Sequence, residues 1–378
     1  MKQLLQSYRS GEIWLAEVPV PSVQAHGVVV RTAASIISSG TERMITELAR
    51  RSLLGKAVSR PDLVRQVIRR VRVEGLGQTL AKVFAKLNTP IPLGYSCSGV
   101  VTEVGSAVRT LSVGDRVACA GTGYATHAEL NYVPANLCVR LPPKVSFAEG
   151  AFAGVGAVAV NALRLAEVEF GERVAVIGLG LIGLLTGQLL KAAGCGVLGC
   201  DIDPRRCRMA RELGFDRVAC GTEIHTASVT YTGGQGLDAV IVTAASQSAE
   251  PLVWAGEICR LRGRVVVVGL VQMHVPRDIY YSRELDLRVS RSYGPGRYDP
   301  EYEEKGRDYP YGYVRWTEQR NMAAFVEAVR RGQVEPLKLA GRRLAIDEAP
   351  EAYRLLFGPA GEGQTPITVV IEYLGVET

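Results

Sequence analysis

The run RVAVIGLGLIGLLTGQLLKAAG sets Gly178, Gly180 and Gly183 at GxGxxG spacing, directly after the apolar stretch Val174–Ile177 and at the head of an apolar helical pattern. In that setting the first glycine permits a tight turn, the second lets backbone approach a pyrophosphate, and the third lets helix and strand pack closely. The helix start offers free N–H groups and a positive dipole end to the phosphates. Leu179, Leu181 and Ile182 complete the turn, and Asp201 follows Gly183 by 18 residues at the end of the next strand pattern. A carboxylate there hydrogen-bonds ribose hydroxyls and repels a 2′-phosphate, so the expected cofactor is NAD(H) rather than NADP(H). Arg205 and Arg206 stand close behind and soften that preference. Thr243 and Ala244, and then Gly269, Leu270 and Val271, end later strand patterns on the same edge, where the nicotinamide half would lie. The bland alternative is a glycine-rich packing turn without a ligand.

Length and composition bound the rest. A chain of 378 residues, 47% hydrophobic and 22% charged, suits a soluble protein of two domains. No apolar run is long enough to span a membrane, and the start MKQLLQSYRSGEIW has no signal-like apolar core, so a cytoplasmic protein is expected. Eight cysteines without a CxxC pair read as reduced, mostly buried thiols. The net charge of +6 is concentrated: Arg43–Lys86 holds 11 Lys/Arg against three acids. A general nucleic-acid binder is therefore not expected.

The elements that must position the turn follow from periodicity. Residues 1–42 and 91–140 read as short strands, among them Val28–Arg31, Gly99–Val104 and Arg116–Cys119, punctuated by Pro and Gly as in a small barrel. Between them, about 43–90 reads as a helical insertion, with Leu63, Val64, Val67, Ile68 and Val71 on one face and Arg65, Arg69 and Arg72 on another. From about 148, strand and helix patterns alternate, the mark of a parallel α/β sheet. The expected domains are 1–147, 148–290 and a return segment 291–378 ending in the strand-like TPITVVIEYL.

Taken in order, LAEVPVPSVQAHGVVVRTAAS, GVVTEVGSAVRTLSVGDRVA, YATHAELNYVPANLCVRLPPKVSFAEGA and the glycine turn resemble the medium-chain dehydrogenase/reductases, the zinc alcohol dehydrogenase superfamily, over nearly the whole chain. The resemblance implies a GroES-like β-barrel catalytic domain, a doubly wound Rossmann domain and a reacting cleft between them. It also locates the family's zinc ligands on residues that are not ligands: Ser38 for the catalytic Cys, and Tyr95 and Ser96 for the His-Glu of its Gly-His-Glu triplet. The cysteines of the family's structural zinc lobe are missing, and four histidines with no paired spacing do not rebuild a site, so no zinc is expected. SYGPGRYDPEYEEKGRDYPYGYVRWTEQRN and ISSGTER resemble one branch whose members occur fused or adjacent to a Gfo/Idh/MocA-type oxidoreductase. That likeness suggests sugar, cyclitol or sugar-nucleotide substrates, and the family's dimer or tetramer habit.

Hydride transfer at an alcohol carbon needs a positioned cofactor and a group that stabilises and protonates the developing alkoxide. Without zinc, the resemblance makes Tyr95 the first candidate acid, with the alternative that its ring only fills the vacated space. Thr41 and Glu42 align with the family's Ser/Thr-Asp pair, as substrate contact and as orienting group or base; a surface turn is the other reading. His127 reads as an exposed or packed strand histidine.

Eight of the 15 tyrosines lie between Tyr280 and Tyr313, which suits a sugar-binding lid or a dimer interface alike. Tyr293, Tyr298, Arg297 and Lys305 are its candidate substrate contacts. The basic insertion reads as a solvated face, as a membrane-surface contact, or, narrowly favoured, as a cover attracting a phosphorylated or nucleotide-linked substrate or an oligomer contact.

The reading that joins these features is a zinc-independent NAD(H) oxidoreductase acting between a secondary alcohol and ketone of a polyhydroxylated small molecule. A quinone- or enoyl-type double-bond reductase and a non-catalytic NAD-binding partner subunit are the alternatives.

Overall fold

A computed structural model describes residues 1–38, 40, 42, 89–357 and 366–375. The helical insertion expected over about 43–90 lies almost wholly outside the described residues, as does Thr41. The chain opens with strands β1 (Lys2–Gln6), β2 (Ile13–Glu17), β3 (Gly27–Ser38), β4 (Ile91–Pro92), β5 (Ser96–Val104), β6 (Arg116–Ala120), β7 (Leu130–Pro134) and β8 (Cys138–Arg140). Helices α1 (Phe147–Gly150) and α2 (Ala153–Ala166) lead into the alternating part. That part runs β9 (Arg173–Ile177), α3 (Leu181–Ala192), β10 (Gly196–Asp201), α4 (Pro204–Glu212), β11 (Arg217–Cys220), α5 (Ile224–Thr232), β12 (Leu237–Val242), α6 (Glu250–Ile258), β13 (Cys259–Val267), α7 (Arg277–Ser282) and β14 (Asp286–Val289). The chain continues through α8 (Pro300–Glu303), α9 (Glu318–Arg330), β15 (Ala340–Ala345), α10 (Ala349–Phe357) and β16 (Thr368–Glu372).

The alternating part forms one parallel six-stranded sheet in the order β11-β10-β9-β12-β13-β14. Its order reverses between β9 and β12, which opens a crevice at the carboxyl ends of those strands. The other large sheet runs β15-β16-β3-β5-β6-β8, with β7 on β3. It is a mixed sheet, because β16 pairs antiparallel with β3 (Thr368 opposite Ser38) and parallel with β15. The architecture is α/β: a GroES-like barrel and a Rossmann-type sheet. Local signals fix several element starts. Ser146 and Glu149 form a capping box ahead of α1, Asp203 caps α4 with Pro204 at its first position, and Thr317 caps α9.

The two sheets share a core. One continuous apolar cluster holds Ala34, Ile36, Tyr95 and Ala118 of the barrel, Val176 and Ile241 of the parallel sheet, and Met322 and Phe325 of α9. The helix at its centre is α2, written AGVGAVAVNALRLA and buried over most of its surface. Its small residues allow close approach: a Cβ on Gly156 would lie 2.2 Å from the Phe325 ring. The eight cysteines are free thiols, seven buried and Cys220 half-buried. Among the described residues no helix is long and apolar enough to cross a membrane.

Gly156→Ala forces the α2–α9 crossing apart and is expected to cost about 1–3 kcal/mol. Thermal denaturation measures it, and Gly156→Ala combined with Phe325→Leu should recover most of the loss.

Candidate functional site

The nucleotide crevice is built by the turn between β9 and α3. Gly178 N–H donates to the Cys200 carbonyl (2.7 Å), and Thr243 Oγ1, just past β12, donates to the Gly178 carbonyl (2.5 Å). Gly183 is held against that turn so closely that a Cβ would meet the Gly178 oxygen at 1.9 Å. At Gly180, the N-cap of α3, a Cβ would meet nothing within 4 Å. The turn is thus packed behind and open in front, which fits a pyrophosphate lying against backbone. Asp201 is 6% exposed, and its Oδ2 accepts from the Leu179 N–H (2.7 Å) while Oδ1 accepts from the Asp203 N–H (2.9 Å). One carboxylate therefore braces the glycine turn and stands at the strand end where a ribose would lie. Arg206 reaches Asp201 Oδ2 at 3.4 Å, and Arg205 is paired with Asp203 (2.8 Å).

Leu181 is buried and Ile182 half-buried on α3. Thr243 and Ala244 sit beside Gly269, where a Cβ would lie 2.0 Å from the Ala244 oxygen. Leu270 is exposed and Val271 buried. The residues present fit a dinucleotide.

Tyr95 precedes β5 and joins the shared core on the side that faces the parallel sheet; it is 6% exposed. Its ring meets that of Tyr293, just past β14, with centroids 6.4 Å apart. Burial, and then Tyr95, push the Tyr293 hydroxyl well above the usual phenol range, so it stays protonated and can donate. Ser96 serves the fold: its Oγ donates to the Ala151 carbonyl (2.6 Å) and accepts from the Gly154 N–H (3.0 Å), tying β5 to the start of α2.

Glu42 lies elsewhere. It is 1% exposed, so the surface-turn reading of its segment fails there, and its Oε1 accepts from the Ser38 N–H (3.1 Å). Its Oε2 faces His127 Nε2 at 3.6 Å, and neither atom has a hydrogen-bond partner among the described residues. His127 Nδ1 bonds Ser35 Oγ (2.8 Å), which bonds the Tyr373 hydroxyl (2.9 Å). His127 is fully buried and packs edge-on to Tyr353, which is the packed alternative of its reading, although it lies just outside a strand. Gly94, at φ +91°, lies against that imidazole.

Because Ile36 shares a core with Tyr95, and Ile37 with Tyr353 and Tyr373, alternation along β3 puts the two polar groups on opposite faces. The candidate acid Tyr95 and the candidate base Glu42 are not brought together.

The Tyr-rich segment is held by its own ion pairs and hydrogen bonds. Arg297 and Lys305 are not free cations: Arg297 Nη1 donates to Glu303 Oε1 (2.6 Å), and Lys305 is paired with Glu301. Tyr302 is buried, with its hydroxyl on Thr317 Oγ1 (2.8 Å), while Tyr298 remains exposed. The segment packs as structure against the barrel, through Asn136 to the Tyr302 carbonyl (2.8 Å).

Among the described residues no three His, Cys, Asp or Glu side chains converge as a metal site. Ser38, Tyr95 and the committed Ser96 hydroxyl, with one imidazole and one carboxylate behind them, do not fit the ligand set of a catalytic zinc. Sequence reasoning missed the His127–Glu42 pairing and the buried Glu318. No local spacing marks either.

Fold and crevice together define a two-unit dinucleotide-binding architecture, and comparison with known proteins agrees. Residues 64–143 match the alcohol dehydrogenase GroES-like domain, and 182–305 match the zinc-binding dehydrogenase family. D-xylulose reductase of Saccharomyces cerevisiae is 30% identical over 254 residues, 57% of this chain and 70% of that protein. L-idonate 5-dehydrogenase of Vitis vinifera is 30% identical over 234 residues, 52% of this chain and 63% of that protein. An Escherichia coli oxidoreductase/dehydrogenase shares the fold with a TM-score of 0.75 at 20% identity, covering 99% of this chain and 100% of that one. The chain belongs to the zinc-type alcohol dehydrogenases of the medium-chain dehydrogenase/reductase superfamily, whose members use NAD(P).

Gly180→Ala should leave the melting temperature unchanged and weaken NAD(P)H binding at least about tenfold, because its methyl group enters only the ligand's space. Gly183→Ala should instead lower the melting temperature. Fluorescence titration and thermal denaturation separate the two.

Proposed function

We propose that the protein is a zinc-independent, NAD(H)-dependent oxidoreductase that interconverts a secondary alcohol and its ketone on a polyhydroxylated substrate of sugar, cyclitol or sugar-nucleotide type. The observation that carries this reading is the Tyr95–Tyr293 contact: a barrel phenol and a phenol following the last strand of the nucleotide sheet, 6.4 Å apart between ring centroids. Nicotinamide, when bound, accepts or supplies the hydride. Gly178–Gly183 and Thr243 hold the phosphate side of the crevice, and Asp201 holds the adenosine ribose and selects against a 2′-phosphate. Tyr95 and Tyr293 supply hydrogen-bond donors to the oxygen of the reacting carbon, in place of a Lewis acid. Their rings cover the apolar side of a sugar.

The names of the curated relatives, a xylulose reductase and an idonate dehydrogenase, support a polyol or sugar substrate. The mismatch of Ser38, Tyr95 and Ser96 with zinc chemistry supports the metal-free mechanism. The buried Glu42–His127 pair, behind β3, serves to position the barrel strands rather than to touch substrate.

Purified protein should oxidise NADH, or reduce NAD, with members of a panel of ketoses, polyols, cyclitols and sugar nucleotides. Tyr95→Phe and Tyr293→Phe should each lower kcat by about 10²–10⁴ while NADH binding persists. Asp201→Ala should weaken NADH binding about 10–100-fold and narrow the gap to NADPH. Stoichiometric zinc whose removal abolishes turnover would overturn the metal-free reading.

A further inference from the structure

Two thiols lie in contact beside the strand end that carries Asp201. Cys207 is the fourth residue of α4, Cys220 ends β11, and their sulfurs are 3.3 Å apart. The same strand pairing sets Asp201 opposite Cys220. Cys207 is 1% exposed, and its thiol lies 3.4 Å from the carbonyls of both Asp201 and Ala219. Cys220 is half-buried and is followed by Gly221, where a Cβ would meet nothing within 4 Å. A small oxidant therefore reaches this pair through Cys220. The barrel holds a second close pair, Cys119 and Cys138 at 3.7 Å, but both of those thiols are buried. Proximity is common to the two pairs, and only the first adds an approach from solvent.

The first pair is wired to the nucleotide crevice. Arg206, the residue before Cys207, reaches Asp201 Oδ2 at 3.4 Å and Asp203 Oδ2 at 4.0 Å. Asp201 Oδ2 also takes the Leu179 N–H of the glycine turn (2.7 Å). Thiols, arginine, carboxylate and turn form one connected set.

We propose that Cys207 and Cys220 close to a reversible disulfide when a hydroperoxide meets Cys220, and that closure lowers the affinity of the crevice for its dinucleotide. The affinity half of this proposal rests on the reading of the crevice as a dinucleotide site. With hydrogen peroxide, the Cys220 sulfur attacks one oxygen, the O–O bond breaks, and a sulfenic acid forms. The thiol proton leaves with the departing oxygen as the first water. The Cys207 sulfur then attacks the Cys220 sulfur: the S–S bond forms, the S–O bond breaks, and the hydroxyl leaves with the Cys207 proton as the second water. Two electrons pass from the thiol pair to the peroxide. Burial, and then the bond to Cys220, push the Cys207 thiol up to about 12, in keeping with Cys220 as the sulfur oxidised first.

Closure shortens the sulfur separation from 3.3 Å to about 2.05 Å. It takes the thiol proton from the Asp201 carbonyl and draws the first turn of α4, with Arg206, toward β11. A binding constellation must hold its geometry to within about 0.5 Å, so the ribose edge is disturbed.

The full chain is treated with hydrogen peroxide, freed of it, and compared with the reduced chain. Intact mass, peptide mapping without reductant and fluorescence titration with NADH give the readouts. The oxidised chain should lose the mass of two hydrogens, with the peptides of Cys207 and Cys220 linked. Its NADH affinity should fall at least about fivefold, the small end of ordinary coupling between sites. Dithiothreitol should restore both mass and affinity. Cys220→Ser should bind NADH as the reduced wild type does and keep that affinity after peroxide. Absence of the Cys207–Cys220 link, or a Cys119–Cys138 link in its place, overturns the proposal. So does a linked chain that binds NADH as tightly as the reduced one. The wild-type map and titrations decide the matter even if Cys220→Ser fails to fold. If the reduced chain binds neither NADH nor NADPH, the dinucleotide reading fails and takes the affinity claim with it, while the peptide map still decides the thiol pair.

Discussion

The contact on which the molecule depends is the burial of α2 between the two sheets. A helix written almost wholly in Ala, Gly and Val carries little side-chain bulk, so the barrel, the parallel sheet and α9 can all close on it. That fusion turns two units that might only touch into one core. Tyr95 enters from the barrel and Tyr293 from the end of the nucleotide sheet, and both belong to the same apolar cluster. Ser96, one residue beyond Tyr95, spends its hydroxyl on the start of α2, so the strand presenting the phenol is clamped to the helix that joins the units.

The polar groups divide along that core. In the shared cluster Tyr95 meets Tyr293; behind β3 stands a chain of Glu42, His127, Ser35 and Tyr373. Burial pushes the Tyr373 hydroxyl up, so this chain ends in a phenol that keeps its proton. Buried polar chains of this kind specify one arrangement of strands, because any slip leaves charges and hydroxyls unpaired. The polar residues near the shared core therefore fall into two separate sets, one around Tyr95 and Tyr293 and one behind β3.

What the sequence could tell was set by distance along the chain. The glycine turn, Asp201 and each strand–helix step from β9 to β14 are local patterns, read from close neighbours along the chain, and all were legible. The α/β class and the pairing of barrel with parallel sheet followed from them. The partners of side chains were not legible. Arg297 reads as a candidate substrate contact, and nothing in the spacing says that the turn through Asp299 and Pro300 folds Glu303 back onto it. His127 reads as a lone histidine because its carboxylate partner comes from the far end of β3. Nothing in the spacing marks Glu318, and only tertiary packing buries it.

The position of β16 has a consequence for how the protein comes into being. This strand inserts between β15 and β3, and Tyr373, just beyond it, closes the hydrogen-bonded chain to His127. The barrel is thus assembled from the two ends of the chain, with the whole parallel sheet encoded between them. During synthesis the nucleotide-binding sheet has all its strands while β3 still shows an open edge, and that edge is sealed only when residues 368–372 leave the ribosome. Until then the nascent chain carries the crevice of the parallel sheet beside an unfinished barrel.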